Sequence, residues 1–109
     1  MKIVTVCEQG NNRSIHAAYI MRYKRKVDGG GFNDVIPIGI KTSSPELQKM
    51  LFDWAEWIIL TDASFKDLIP AEYIEKLKIW DVGEDRFMRP FNKELLALLR
   101  VYMEREYQK

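Results

Sequence analysis

Apolar positions along this chain alternate between two spacings, continuous short runs and repeats of three and four. The run Lys2–Val6, carrying Ile3, Val4 and Val6, predicts a first strand. A helix is predicted from about Arg13 to Lys26, with Ala17, Ile20 and Met21 at helical spacing. It ends in Arg22, Lys24, Arg25 and Lys26, cations that suit a helix C-terminus, and Asp28-Gly29-Gly30-Gly31 breaks it. Val35–Ile40 predicts a second strand, and Ser44-Pro45-Glu46 a helix start with proline at the first position. Leu47, Met50, Leu51 and Trp54 predict the buried stripe of that helix. Trp57–Leu60 predicts a third strand ending at Thr61-Asp62, followed by a helical pair split at Pro70. Lys78–Val82 predicts a fourth strand, Gly83–Arg89 a loop, and Leu95, Leu98, Leu99 and Tyr102 the inward face of a last helix.

Strands alternating with helices predict a parallel sheet covered on both faces, an α/β three-layer sandwich with four strands. In such open sheets ligands bind beyond the carboxyl ends of the strands. Cys7 follows the first strand, Asp62 the third, and Asp81 and Asp85 the fourth. Residues distant in sequence are thereby expected on one edge.

Composition narrows the classes. A length of 109 residues, 47% hydrophobic and 30% charged, fits one domain with one core. A net charge of +1 lacks the basic excess usual in nucleic-acid binders. No apolar run approaches the roughly 18 residues of a membrane span, and the first residues lack the design of a signal peptide. A single cysteine excludes an internal disulfide and a cysteine-based zinc cluster. A cytoplasmic, reducing setting is the expectation.

The chemistry concentrates in Cys7-Glu8-Gln9-Gly10-Asn11-Asn12-Arg13-Ser14, between the first strand and the first helix. A loop there can wrap backbone N–H groups around a tetrahedral oxyanion, and the helix N-terminus adds positive potential. The same field favours the thiolate of a cysteine at its mouth. Arg13 closes the loop with a planar fork able to grip two phosphate oxygens. A lone cysteine is commonly just a small buried hydrophobe. The arginine and serine at fixed offsets weigh against that here. His16, one turn into the helix, is expected on the helix surface and without a catalytic role. Of Trp54, Trp57 and Trp80, at least two are expected in the core rather than rimming a site. Asp62 is expected to cap the helix that follows it.

Val6-Cys7-Glu8-Gln9-Gly10-Asn11-Asn12-Arg13-Ser14, with Ala17 beyond, resembles the phosphate-binding loop of the low-molecular-weight protein tyrosine phosphatases. More narrowly, the chain is similar to the short tyrosine phosphatases predicted in prokaryotes and their phages. Segments like Asp53–Leu60 and Trp80–Met88 support the likeness, which covers most of the chain. The resemblance implies a flavodoxin-like, phosphotyrosine phosphatase I-like fold over residues 1–109 and a two-step hydrolysis of phosphotyrosine. Cys7 would be the nucleophile, Glu8, Gln9, Gly10, Asn11, Asn12, Arg13 and Ser14 the phosphate-binding residues, and Ser14 the group that steadies the thiolate. No metal or cofactor is implied, and the expected partner is a phosphorylated protein or aryl phosphate.

Four departures from the family pattern stand out. Gln9 and Gly10 replace a usual glycine and asparagine, so the loop lacks a bracing amide side chain. Glu8 brings a carboxylate next to the phosphate. Asn12 replaces a second loop cysteine. The Asp-Pro pair that marks the general acid is missing, and Asp85, Glu84 and Asp81 compete for the role, with Asp85 preferred for its place in the late loop near Phe87. Glu8, Gln9 and the missing Asp-Pro keep open a phosphopeptide-binding pseudophosphatase, and the loop ending Asn12-Arg13-Ser14 keeps open a phosphoserine or phosphothreonine phosphatase.

Overall fold

A computed structural model describes residues 1–10, 12–22, 32–83 and 92–107. Its elements are β1 (Lys2–Cys7), α1 (Arg13–Arg22), β2 (Asp34–Gly39), α2 (Pro45–Trp54), β3 (Trp57–Leu60), β4 (Leu77–Ile79) and α3 (Lys93–Tyr107). Two 3-10 segments, Ala63–Leu68 and Ala71–Lys76, stand where the sequence predicts a helical pair. Pro70 explains the break: it cannot donate to a continuing helix, and it holds the preceding Ile69 extended.

The four strands form one parallel sheet in the order β2-β1-β3-β4. The chain therefore leaves β1 in one direction and returns on its other side, so the crossovers cover opposite faces. On one face α1 and α3 bury Ala17, Met21, Leu95 and Leu99 against Ile3, Val35 and Ile59. On the other α2 and the 3-10 segments bury Leu51, Phe52, Ile69 and Tyr73 against Val4, Val6, Ile58 and Leu60. The alternation Ile3/Val4 and Ile58/Ile59 between the two clusters is the period-two pleat, with both faces apolar as a parallel sheet requires.

Several expectations shift. Leu47 and Met50 are 39% and 60% exposed, and Leu51 and Phe52 are the buried residues of α2. The inward positions are Leu51, Phe52 and Ala55, so the buried stripe is turned on the helix relative to the expected one. Trp80 is fully buried, whereas Trp54 and Trp57 are half-buried against the two clusters. β4 ends at Ile79, three residues early, although Trp80 and Val82 still donate their N–H groups to Leu60 and Thr61. Helix positions predicted beyond Arg22 lie outside the described residues.

This topology has a switch point between β1 and β3, where open α/β sheets form their crevice. Cys7 ends one of those strands, and Thr61-Asp62 follow the other.

Candidate active site

β1 carries Cys7 to the crevice, and the loop behind it turns on Gly10, whose φ is +77°. A side chain would be strained in that conformation, and it would also have no room. A Cβ there would lie 2.4 Å from the backbone N of Gly39, and a Cβ on Gly39 would lie 2.3 Å from the carbonyl carbon of Gln9. Two glycines thus let the loop seat backbone-to-backbone on the end of β2. Thr42 donates its hydroxyl to the Gln9 carbonyl at 2.9 Å, and Lys41 donates its backbone N–H to the Glu8 carbonyl at 2.9 Å. The contact is pinned from both sides.

Cys7 is 1% exposed and belongs to neither apolar cluster. Its near neighbours are polar: Ser14 Oγ at 3.1 Å and the Gly10 backbone N–H, which donates to Sγ at 3.1 Å. Both can donate to a thiolate, the nucleophilic form of a cysteine. Ser14 is itself fixed, because its carbonyl accepts the Thr5 hydroxyl at 2.7 Å within the core.

Arg13 opens α1 with its side chain 1% exposed. Nη1 donates to Asp62 Oδ2 at 2.9 Å and to the Gly83 carbonyl. Among the described residues Nε has no hydrogen-bond partner, and it is buried. An unsatisfied buried donor costs about 1–3 kcal/mol, a cost that an anion at the crevice would remove. The guanidinium is therefore gripped on one side and unpaired at Nε.

Asp62 does more than cap. Oδ1 accepts the Ser64 N–H at 3.0 Å and its hydroxyl at 2.6 Å, as an N-cap should, while Oδ2 holds Arg13. Burial alone would raise its carboxyl pKa. The Ser64 hydroxyl and amide, then Arg13, outweigh burial and bring the pKa below the usual carboxylate range. The Arg13 clamp is missing from the sequence reading, although the placement of Asp62 on the same sheet edge was a usable signal.

The remaining loop residues divide. Glu8 turns its carboxylate to Lys41 Nζ at 3.4 Å, and Lys41 also lies 5.1 Å from the centre of the Phe65 ring. Gln9 is exposed, and Asn12 leads into α1. Asn11 lies outside the described residues. Asp81 Oδ1 accepts the N–H groups of Gly83 at 3.0 Å and Ala63 at 3.3 Å, which fastens the end of β4 to the 3-10 segment. Glu84 and Asp85 lie outside the described residues. Trp54 and Trp57 sit at the amino end of the sheet, away from Cys7, so they do not rim the site. His16, expected on the surface, is 4% exposed.

Among the described residues no cluster of three or more His, Cys, Asp or Glu side chains could hold a metal, and no helix is long and apolar enough to cross a membrane.

The chain has the fold of the low-molecular-weight protein tyrosine phosphatases. Its solved structural neighbours include the YwlE arginine phosphatase of Geobacillus stearothermophilus, at TM-score 0.68 and 19% identity over 98% of this chain and 94% of that one. The tyrosine phosphatase Wzb of Escherichia coli K30 superposes at TM-score 0.66 and 12% identity, covering 98% and 96%. A low-molecular-weight protein tyrosine phosphatase of Bacillus subtilis does so at 0.65 and 17% identity, covering 99% and 97%. No protein-family model matches the sequence, and no curated protein matches it.

Proposed function

We propose that this protein is a cysteine-dependent phosphatase that hydrolyses phosphotyrosine. The observation that carries the reading is the convergence of a sulfur, its two polar neighbours and a guanidinium. A sulfur with a hydroxyl and an amide at 3.1 Å, and a buried guanidinium with its Nε unpaired, meet at the switch point of an α/β sheet. The fold neighbours, which are tyrosine and arginine phosphatases, add weight to phosphatase chemistry.

In the first step the Cys7 thiolate attacks phosphorus in line; the S–P bond forms as the bond to the phenolic oxygen breaks. Asp85 gives the leaving oxygen its proton, with Glu84 as the alternative. Asp81 is the weaker choice, since its Oδ1 already accepts two amides. Backbone N–H groups of the loop and Arg13 stabilise the equatorial oxygens. In the second step the acid, now a carboxylate, takes a proton from water as the water oxygen attacks phosphorus. The S–P bond breaks, and inorganic phosphate leaves with the thiolate restored.

A second reading, phosphopeptide binding without turnover, draws on the 1% exposure of Cys7. Incubation with an aryl phosphate separates the two. The enzyme reading expects turnover that Cys7→Ser abolishes and that is faster on phosphotyrosine peptides than on phosphoserine or phosphoarginine ones. Arg13-dependent peptide binding with no hydrolysis from acidic to neutral pH would establish the second instead.

A further inference from the structure

His16 is used by none of the steps above, yet it is buried and bonded at both ring nitrogens. Nε2 lies 3.0 Å from the backbone N of Asn92, and Nδ1 lies 2.9 Å from the Asn12 carbonyl. An amide N–H can only donate, so Nε2 accepts and carries no proton. The proton is then on Nδ1, which donates to Asn12. Geometry thus fixes both the tautomer and the direction of each bond.

The two ends reach different parts of the molecule. Asn12 is a loop residue, and its carbonyl also accepts the His16 backbone N–H at 3.0 Å. One residue therefore supplies both donors to that carbonyl. Because the peptide between Asn12 and Arg13 is planar and trans, the Arg13 N–H points opposite to the Asn12 carbonyl. Holding the carbonyl along α1 aims this N–H out of the helix start, on the side of the loop. Asn92 is the footing at the other end. Its side chain accepts the Leu95 N–H at 3.0 Å and its carbonyl the Leu96 N–H at 3.0 Å, so it starts α3, whose Leu95 and Leu99 are fully buried.

We infer that His16 is a positioning residue for the anion cradle: through Asn12 it sets the orientation of the loop's last peptide, with α3 as the fixed support. The inference rests on the reading of this loop as a phosphate site. It places on the helix side a brace that the Gly10 turn cannot supply, since glycine has no side chain.

Two substitutions divide the ring's functions. His16→Asn keeps a donor near the place of Nδ1 and gives up the bond to Asn92. His16→Gln can reach the Asn92 N–H with its amide oxygen and gives up the donor to Asn12. The probe is inorganic phosphate, read as the concentration that half-protects Cys7 of the full chain from alkylation by iodoacetamide. Alongside it, kcat and KM for an aryl phosphate are measured. His16→Gln is expected to raise the half-protecting concentration about tenfold, the worth of one hydrogen bond, with Tm near wild type. His16→Asn, which loses the support on α3, is expected to lower Tm and to raise the half-protecting concentration by less than His16→Gln does. Tm changes in both variants with unaltered phosphate protection would overturn the inference, leaving a helix-packing histidine. Failure of phosphate to protect wild-type Cys7 would overturn the phosphate reading with it, which separates the two failures. Since His16 is the sole histidine of the chain, the imidazole nitrogen spectrum of wild type gives an independent check that needs no variant. An Nδ1–H tautomer whose signals move on adding phosphate supports the inference, and an Nε2–H tautomer overturns it.

Discussion

The end of β1 and the ends of β3 and β4 face each other across the crevice but contribute in opposite ways. The loop after β1 supplies the candidate nucleophile Cys7 and the anion-binding Arg13 within one short stretch of chain. From the segments after β3 and β4, Asp62 and the Gly83 carbonyl instead hold the guanidinium by Nη1. Reactivity here is local in sequence, and alignment is long-range. An arginine held on one edge has lost its rotamer freedom before any ligand arrives, which is what pre-organised anion stabilisation requires.

Substitutions can break this division or sharpen it. Cys7→Ser removes the reactive half outright and is expected to lower aryl phosphate turnover by a factor on the order of 10^4 or more, measured in steady-state kinetics. Arg13→Lys keeps the charge but loses the fork, and with it the hold of Asp62 and Gly83; a fall of about 10^3-fold in kcat/KM is expected. Asp62→Asn touches only the aligning half. Turnover should fall about 10^2-fold through misplacement of Arg13, and a loss near that of Arg13→Lys would erase the distinction between the halves.

Asp62 also gives the comparison a pH signature. Its folded pKa lies below its unfolded value, so its stability contribution is present above the ordinary carboxylate value of about 4 and is lost as pH falls through the lower folded value. The Tm difference between wild type and Asp62→Asn should stay level from neutral pH down to about 4 and shrink below it. Calorimetry at stepped pH reads this directly.

Gly10→Ala tests the seat of the reactive loop. Its Cβ would need space occupied by backbone of Gly39, so a loss of about 1–3 kcal/mol is expected in denaturant unfolding, together with weaker phosphate protection of Cys7. The smallest effect belongs to Glu8→Gln. The Glu8–Lys41 pair is solvent-exposed on both sides, and less than about 1 kcal/mol should be lost.

What was legible in the sequence follows the same division. The four strands and the Cys7-to-Ser14 stretch could be read because a strand, a turn and a helix start are each encoded by neighbouring residues. The positive φ of Gly10 is likewise a local property, one that a residue without a Cβ takes up readily. Three partners of the loop were not legible. Gly39 is required by a backbone contact across 29 positions, which no local pattern announces. Asp62 looked like an ordinary cap because its second oxygen meets a residue 49 positions away. His16 lies on a helix whose apolar stripe is weak, and its burial follows from α3 packing over it at Asn92. The rotated stripe of α2 has a similar origin: Leu47 and Met50 fit a helical repeat, but the sheet and the 3-10 segments select the neighbouring face through Phe52 and Tyr73.

The central claim is a covalent one, and covalent chemistry can be caught. Wild-type protein mixed with an aryl phosphate, quenched in acid during turnover and mapped by peptide mass spectrometry should carry its phosphoryl group on Cys7 and nowhere else. Release of phosphate with no phosphoryl group on that sulfur, or with the group on a different side chain, would contradict the account.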